Sequence, residues 1–134
     1  MILRDADLYA DIQARAPMIC KISVIIMDVA LASRIEQGAS VPSKRMKAVK
    51  GLSQRDVFTG VLLMLVLPFL EDSVENVLEV VDAAADAGAK FVYAAFGMTL
   101  RDCQQAYYYD QLVRNFLGIK EKSTRSGTGV AAGV

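Results

Sequence analysis

The chain has 134 residues, of which 54% are hydrophobic and 22% are charged, and its 15 basic residues balance 15 acidic ones. This length and apolar content predict one small globular domain and exclude disorder over most of the chain. Because the sequence contains no His, catalytic systems that use imidazole and His-ligated metal sites are excluded. Formal neutrality gives no general attraction to nucleic acid or to an anionic membrane.

The two cysteines, Cys20 and Cys103, lie too far apart in the sequence for a zinc motif, a CxxC redox pair or a run of iron–sulfur ligands. Each is interpreted as a small buried hydrophobe or a free thiol. No targeting segment precedes Arg4 and Asp5, and the apolar run at residues 57–70 is shorter than the roughly 20 residues that a membrane-spanning helix needs. The sequence therefore predicts a cytoplasmic protein with no membrane span.

Hydrophobic periodicity predicts helices and strands in alternation. The predicted order is a helix over residues 2–16, a strand over 19–27, a helix that Ser43 caps, a strand over 57–67, a helix from Ser73 to Gly88, a strand over 90–96 and a helix over 99–117. Strands that whole helices separate pair in parallel. The predicted fold class is α/β, a partial barrel or open sheet with about three parallel strands and covering helices.

The predicted inward faces of the helices and the predicted sheet edges define how this domain packs. The inward residues are Leu8, Tyr9, Ile12 and Ala16 in the first helix, Met46, Val49 and Leu52 in the second, and Val74, Val77, Leu78, Val81 and Ala84 in the third. Residues 123–134 are predicted to form a flexible tail. Three parallel strands would leave both sheet edges unpaired, which favours a partner or further strands.

Two sets of charged residues can each be interpreted in two ways. Glu71 and Asp72 follow the second strand, where parallel α/β proteins bind ligands, but they also suit the N-terminus of the Ser73 helix. A basic cluster can contact phosphates, but a solvated helix face opposite acidic residues is the preferred interpretation. Its members are Lys44, Arg45, Lys47, Lys50 and Arg55.

Two stretches carry a likeness to a known family, residues 33–72 and residues 89–122, with FGMTLRDCQ and LPFLED as their most specific parts. Over residues 2–122 the chain resembles the C-terminal half of radical S-adenosylmethionine (radical SAM) proteins related to spore photoproduct lyase and the DNA repair photolyases. The resemblance implies a partial (β/α)6 barrel of which this chain holds the last three strands. In such lyases a CxxxCxxC loop holds a 4Fe–4S cluster that binds and cleaves S-adenosylmethionine, and this sequence lacks that motif.

The resemblance also implies a set of residues that line the cofactor or substrate mouth of an intact relative. Arg101 is the one expected to bind an anion such as a carboxylate or a phosphate. The set is Ser23, Asp28, Glu71, Thr99 and Arg101. The segment ISVIIMD departs from the family pattern, because Ile25, Ile26 and Met27 stand where relatives carry hydroxyls. Each lost hydroxyl leaves a ligand group unmet at about 1–3 kcal/mol.

These features predict a truncated copy of a radical SAM enzyme that has accumulated substitutions. Without the missing half, the chain is expected to bind neither the cluster nor S-adenosylmethionine. A non-catalytic α/β interaction domain, which pairs with itself or with a separate N-terminal half, stays open as the alternative. A flavodoxin-like domain needs five strands and is disfavoured. Whether nucleic acid is a partner is left open, since only the family suggests it.

Overall fold

The computed structural model describes residues 2–66, 73–96, 98–100, 102–116 and 130–132. A 3-10 turn over Ile2–Asp5 leads into the first helix. The elements are α1 (Ala6–Arg15), β1 (Cys20–Ser23), α2 (Val29–Ile35), α3 (Pro42–Ser53), β2 (Thr59–Val66), α4 (Val74–Asp86), β3 (Val92–Phe96), β4 (Met98–Leu100), α5 (Asp102–Asn115) and β5 (Val130–Ala132).

The strands β1, β2 and β3 form one parallel sheet in that order. Leu62 in β2 lies opposite Ser23 in β1 and opposite Tyr93 in β3. The prediction of an α/β fold with three parallel strands is confirmed. The strands β4 and β5 pair separately in parallel, so residues 130–132, predicted to belong to a flexible tail, form a strand.

The main core lies between this sheet and the helices α3 and α4. Val61 and Leu63 of β2 pack there against Val49 of α3 and against Val80 and Ala84 of α4, and all five are fully buried. Consecutive parallel strands connected by right-handed crossovers place their helices on the same face of the sheet. We call this buried side of the sheet the helix face.

A second, smaller core attaches α1 to the end of α3. Ala6, Leu52 and Val57 are buried together, with Tyr9 and Met18 packed around them. The inward face of α1 is predicted only in part, because Tyr9 packs into this core whereas Leu8 and Ile12 are 62% and 47% exposed. The helix starts at Ala6, and the side that packs inward carries Ala6, Tyr9 and Ala10, which lie at i, i+3 and i+4 spacing.

The inward face of α4 is also predicted only in part. Ala84 is buried as predicted, but Val74, Leu78 and Val81 are exposed and the unpredicted Val80 is buried. The helix is apolar on two neighbouring sides, so periodicity alone does not choose between them. Its orientation is fixed by a contact with another segment, since Asn76 Nδ2 donates to the carbonyl of Ile25 at 2.8 Å.

Several element ends differ from the predicted ones for local reasons. The strand β1 ends at Ser23, and α2, which the sequence did not predict, follows an extended segment that ends at Asp28. The helix α3 starts with Pro42 rather than after a Ser43 cap, because proline suits the first helical position. The last helix starts at Asp102, and Thr99 lies in β4.

Candidate functional site

The two faces of the three-stranded sheet differ in how well they are covered. Alternate residues of a strand point to opposite faces, so the register places one set of side chains away from α3 and α4. Within this set Ile19, Phe58 and Tyr93 are 57%, 41% and 58% exposed. We call this side the open face; it consists of Ile19, Lys21, Ser23, Phe58, Gly60, Leu62, Met64, Phe91 and Tyr93.

Aromatic rings fill the amino end of the open face. The rings of Phe58 and Phe91 stack with centroids 5.9 Å apart. The Phe91 ring lies directly over Gly60, where a Cβ atom would overlap it. Glycine is therefore required at this position by close packing, and this end of the face offers no room for a ligand.

Hydroxyl groups flank the carboxyl half of the open face. Ser23 and Tyr93 lie in one row on either side of the half-buried Leu62. Neighbouring strands are about 4.8 Å apart, so the two Cα atoms are roughly 10 Å apart. Lys21, two residues before Ser23 on the same strand, is exposed beside this row. The arrangement suits contact with a polar group that lies over Leu62.

The carboxylate of Asp28, predicted to contact a cofactor, caps α2. Its Oδ1 accepts from the backbone amides of Ala30 at 2.8 Å and of Leu31 at 3.0 Å. These are amides of the first helical turn that have no partner within the helix. Asp28 thus has a structural role in the chain, and its Oδ1 is already engaged.

Replacing Asp28 by Ala is expected to lower the free energy of unfolding by about 0.5–2 kcal/mol, because the two amides lose their acceptor. Asp28→Asn is the matched control, since asparagine is as good a cap, and it should retain most of the stability. Urea unfolding followed by circular dichroism measures both changes. Equal stability of Asp28→Ala and the parent chain would show that the carboxylate does not hold α2.

The segment after β1 does not have the polar lining that the family resemblance implies. Ile25 and Ile26 are 8% and 2% exposed and belong to the main core, and Met27 packs against it. These apolar residues are thus accommodated by burial rather than presented to a ligand. Of the other predicted site residues, Glu71 and Arg101 lie outside the described residues, and Thr99 lies in β4 with its side chain outside that description.

Arg45 connects the end of β1 to the segment between α2 and α3. Its Nη1 donates to the carbonyl of Ser23 at 2.9 Å, and its Nε donates to the carbonyl of Ser40 at 2.9 Å. Its Nη2 lies 2.9 Å from Oε2 of Glu36, and only 15% of the Arg45 side chain is exposed. The prediction of a solvated helix face is therefore wrong for Arg45, although Lys44, Lys47, Lys50 and Arg55 are exposed.

A shallow cavity of about 110 Å³ lies beside this ion pair. Two of its polar side chains are engaged elsewhere, since Glu36 binds Arg45 and the hydroxyl of Ser33 donates to the carbonyl of Ala30. The lining residues are Ala32, Ser33, Glu36, Gly38, Ala39, Ser40 and Val41. The arrangement is that of a packed helix connection.

Cys20 is the one cysteine whose side chain the structure describes. Cys20 begins β1, at the opposite end of that strand from Ser23, and burial raises the pKa of its thiol. A raised pKa makes the free thiol a weaker nucleophile at neutral pH. Within the described ranges no group of three or more Cys, Asp or Glu side chains could hold a metal ion. The described residues do not fit a cluster bound by three thiolates.

Three residues of this region were not predicted as functional: Lys21, Arg45 and Tyr93. Lys21 could have been noticed, because it is the only charge in the apolar run ICKISVIIM. Tyr93 differs from a core residue only through the face on which the register places it. The contacts of Arg45 span from residue 23 to residue 45, and no local pattern encodes them.

Comparison with known proteins gives distant relatives only. No family model and no solved structure matches the chain. The chain is similar to uncharacterized proteins of Mycobacterium bovis and of two strains of Mycobacterium tuberculosis, each 27% identical over 114 residues. The match covers 85% of this chain and 33% of each relative, so the chain spans about a third of their length. None of the described helices is long and apolar enough to cross a membrane.

Proposed function

We propose that this chain is the C-terminal half-barrel of a radical SAM protein of the photoproduct-lyase-like group, and that a cluster-bearing half covers its open face. The supporting observation is the contrast between the two sheet faces. Val61 and Leu63 are fully buried on the helix face, whereas Phe58 and Tyr93 on the other face are 41% and 58% exposed. Parallel sheets occur almost only with both faces covered.

The order of the strands favours a barrel over an open sheet. Three neighbouring strands follow each other in sequence, and α3 and α4 lie on one face only. In a barrel the other strands close over the inner face, while in a doubly wound sheet a second set of helices covers it. The mycobacterial relatives are long enough to supply such strands, because the match occupies 33% of their length.

In this proposal the chain lines the site and does not generate the radical. The chain has two cysteines, which is too few for a cluster that three thiolates hold, so the thiolates come from the covering half. Ser23 contributes a hydroxyl at the carboxyl end of β1, and Tyr93 contributes a phenol in the same row of the open face. Asp28 acts indirectly, by fixing the start of α2.

Self-association through the open face is the second candidate, and the size of the face disfavours it. Three strands about 4.8 Å apart, of which the longest carries four open-face residues, give a flat area of at most roughly 15 by 20 Å, or roughly 300 Å². Two copies face to face would then cover roughly 600 Å², whereas stable interfaces bury about 1,200–2,000 Å². A separate half that covers the open face and also extends the sheet would bury more area than a second copy does.

The chain alone is expected to form no stoichiometric 4Fe–4S cluster when it is treated anaerobically with iron and sulfide. The measurement is bound iron per chain, together with the visible absorption of the cluster. The matched control is the Cys20→Ser/Cys103→Ser variant, which should retain the same low level of adventitious iron. One cluster per chain that disappears in the control would contradict the assignment of the ligands to another half.

A further inference from the structure

The outer edge of β1 has backbone groups that face away from the sheet. The amides of Cys20 and Val24 donate to Phe58 and Leu62 at 2.9 and 3.0 Å, so these residues point toward β2. Alternate residues of a parallel strand point the other way, which directs the amides and carbonyls of Lys21 and Ser23 to the outer edge. Among the described strands β1 pairs only with β2, so this edge has no neighbouring strand.

The last outward-facing carbonyl of this edge, that of Ser23, accepts a hydrogen bond from Arg45. Its guanidinium donates to Ser23 at 2.9 Å while it pairs with both carboxylate oxygens of Glu36. A second bond to the carbonyl of Ser40 fixes the direction of the side chain. Charge-assisted, bidentate pairs of this kind are the strong class of hydrogen bond. A strand that approached β1 would meet the guanidinium at Ser23.

We propose that the outer edge of β1 docks a parallel strand of the covering half, and that Arg45 guards this edge until that strand displaces it from Ser23. The inference rests on the proposed half-barrel. A parallel strand is the occupant because the sheet is all-parallel and its open face adjoins this edge. Two copies related by a two-fold axis would instead pair their β1 edges antiparallel.

Charged side chains at an exposed strand edge hinder pairing with other strands, and two charged residues lie at this edge. Lys21 is exposed on the edge strand, and Arg45 covers the backbone itself. In the isolated chain, Arg45 limits nonspecific pairing of this edge with strands of other chains. In the assembled barrel the same Ser23 carbonyl would accept from the incoming strand, and Arg45 would keep its bonds to Glu36 and Ser40.

The test uses the full chain and reads strand pairing at the edge through self-association. Arg45→Met removes the guard, and we expect it to associate at a roughly tenfold lower concentration than the parent chain, as measured by sedimentation velocity. The Lys21→Pro change should abolish this association in the Arg45→Met background. The Lys21 amide points to the outer edge, so proline removes an edge donor without breaking a bond to β2.

Two further variants separate edge exposure from general destabilisation. Arg55→Met removes an exposed arginine that contacts Asp7 and the Gly51 carbonyl, away from the edge, and it should leave association unchanged. Glu36→Gln weakens the hold on Arg45 and should give an intermediate result if Arg45→Met does not fold.

Hydrogen exchange by NMR locates the pairing on the strand. In associated Arg45→Met we expect slower exchange at the outward amides of Lys21 and Ser23 and unchanged exchange at Val24. Unchanged association in both Arg45→Met and Glu36→Gln, or association that persists with Lys21→Pro, would overturn the guard. These readouts require no cluster, so they can fail while the half-barrel proposal stands, and the reverse is also true.

Discussion

Leu63→Ala is expected to lower the free energy of unfolding by about 2–5 kcal/mol, whereas Leu62→Ala should lower it by only about 1 kcal/mol. The two residues are neighbours in the central strand. Leu63 is fully buried against α3 and α4, and Leu62 is half-buried on the open face. The same truncation therefore removes a complete set of packing contacts in one case and a partial set in the other.

Urea unfolding of the two variants beside the parent chain measures this difference. Residue type and strand are matched, so Leu62→Ala is the control for Leu63→Ala. Similar losses at both positions would mean that the open face is already covered in the isolated chain. That result would remove the main support for a missing half.

Gly60→Ala is expected to lower the free energy of unfolding by about 1–3 kcal/mol, because its Cβ would overlap the Phe91 ring. The ring cannot move aside freely, since it stacks on Phe58. Thermal or urea unfolding measures the loss.

A double-mutant cycle with Phe91→Ala isolates the cause of this loss. Phe91→Ala removes the ring, so a further Gly60→Ala change should then have little effect on the free energy of unfolding. An equal loss in both backgrounds would attribute the effect to the strand backbone rather than to the ring. The stacked rings of Phe58 and Phe91 would then not be the reason that glycine is required at position 60.

The architecture could be predicted from the sequence because strand and helix patterns alternate. Apolar runs indicated buried strands, and the helices between them required parallel pairing, as the structure confirms. The end of α4 was predicted closely, since the helix ends at Asp86 and the chain turns at Gly88, whose φ is +80°. The exposure of one sheet face was not predicted, because residues on the two faces of an apolar strand have the same composition.

The site was predicted less well, because its contacts depend on tertiary structure. Asp28 was predicted to follow directly on a strand, but β1 ends at Ser23 and Asp28 instead caps α2. Its two bonds to the amides of α2 depend on a helix that no periodicity indicated. Arg45 resembled its exposed lysine neighbours in sequence and differs from them only because β1 ends beside it. Sequence patterns report local geometry, and both roles arise from the meeting of separate segments.

The most direct test of the proposed family is a measurement on the Mycobacterium tuberculosis relative, of which this chain matches about a third. We expect this relative to carry a CxxxCxxC motif outside the matched segment. We also expect it to form a 4Fe–4S cluster after anaerobic reconstitution and to cleave S-adenosylmethionine reductively to 5′-deoxyadenosine. A relative that folds and has neither the motif nor the cluster would contradict the assignment of this chain to a radical SAM half-barrel.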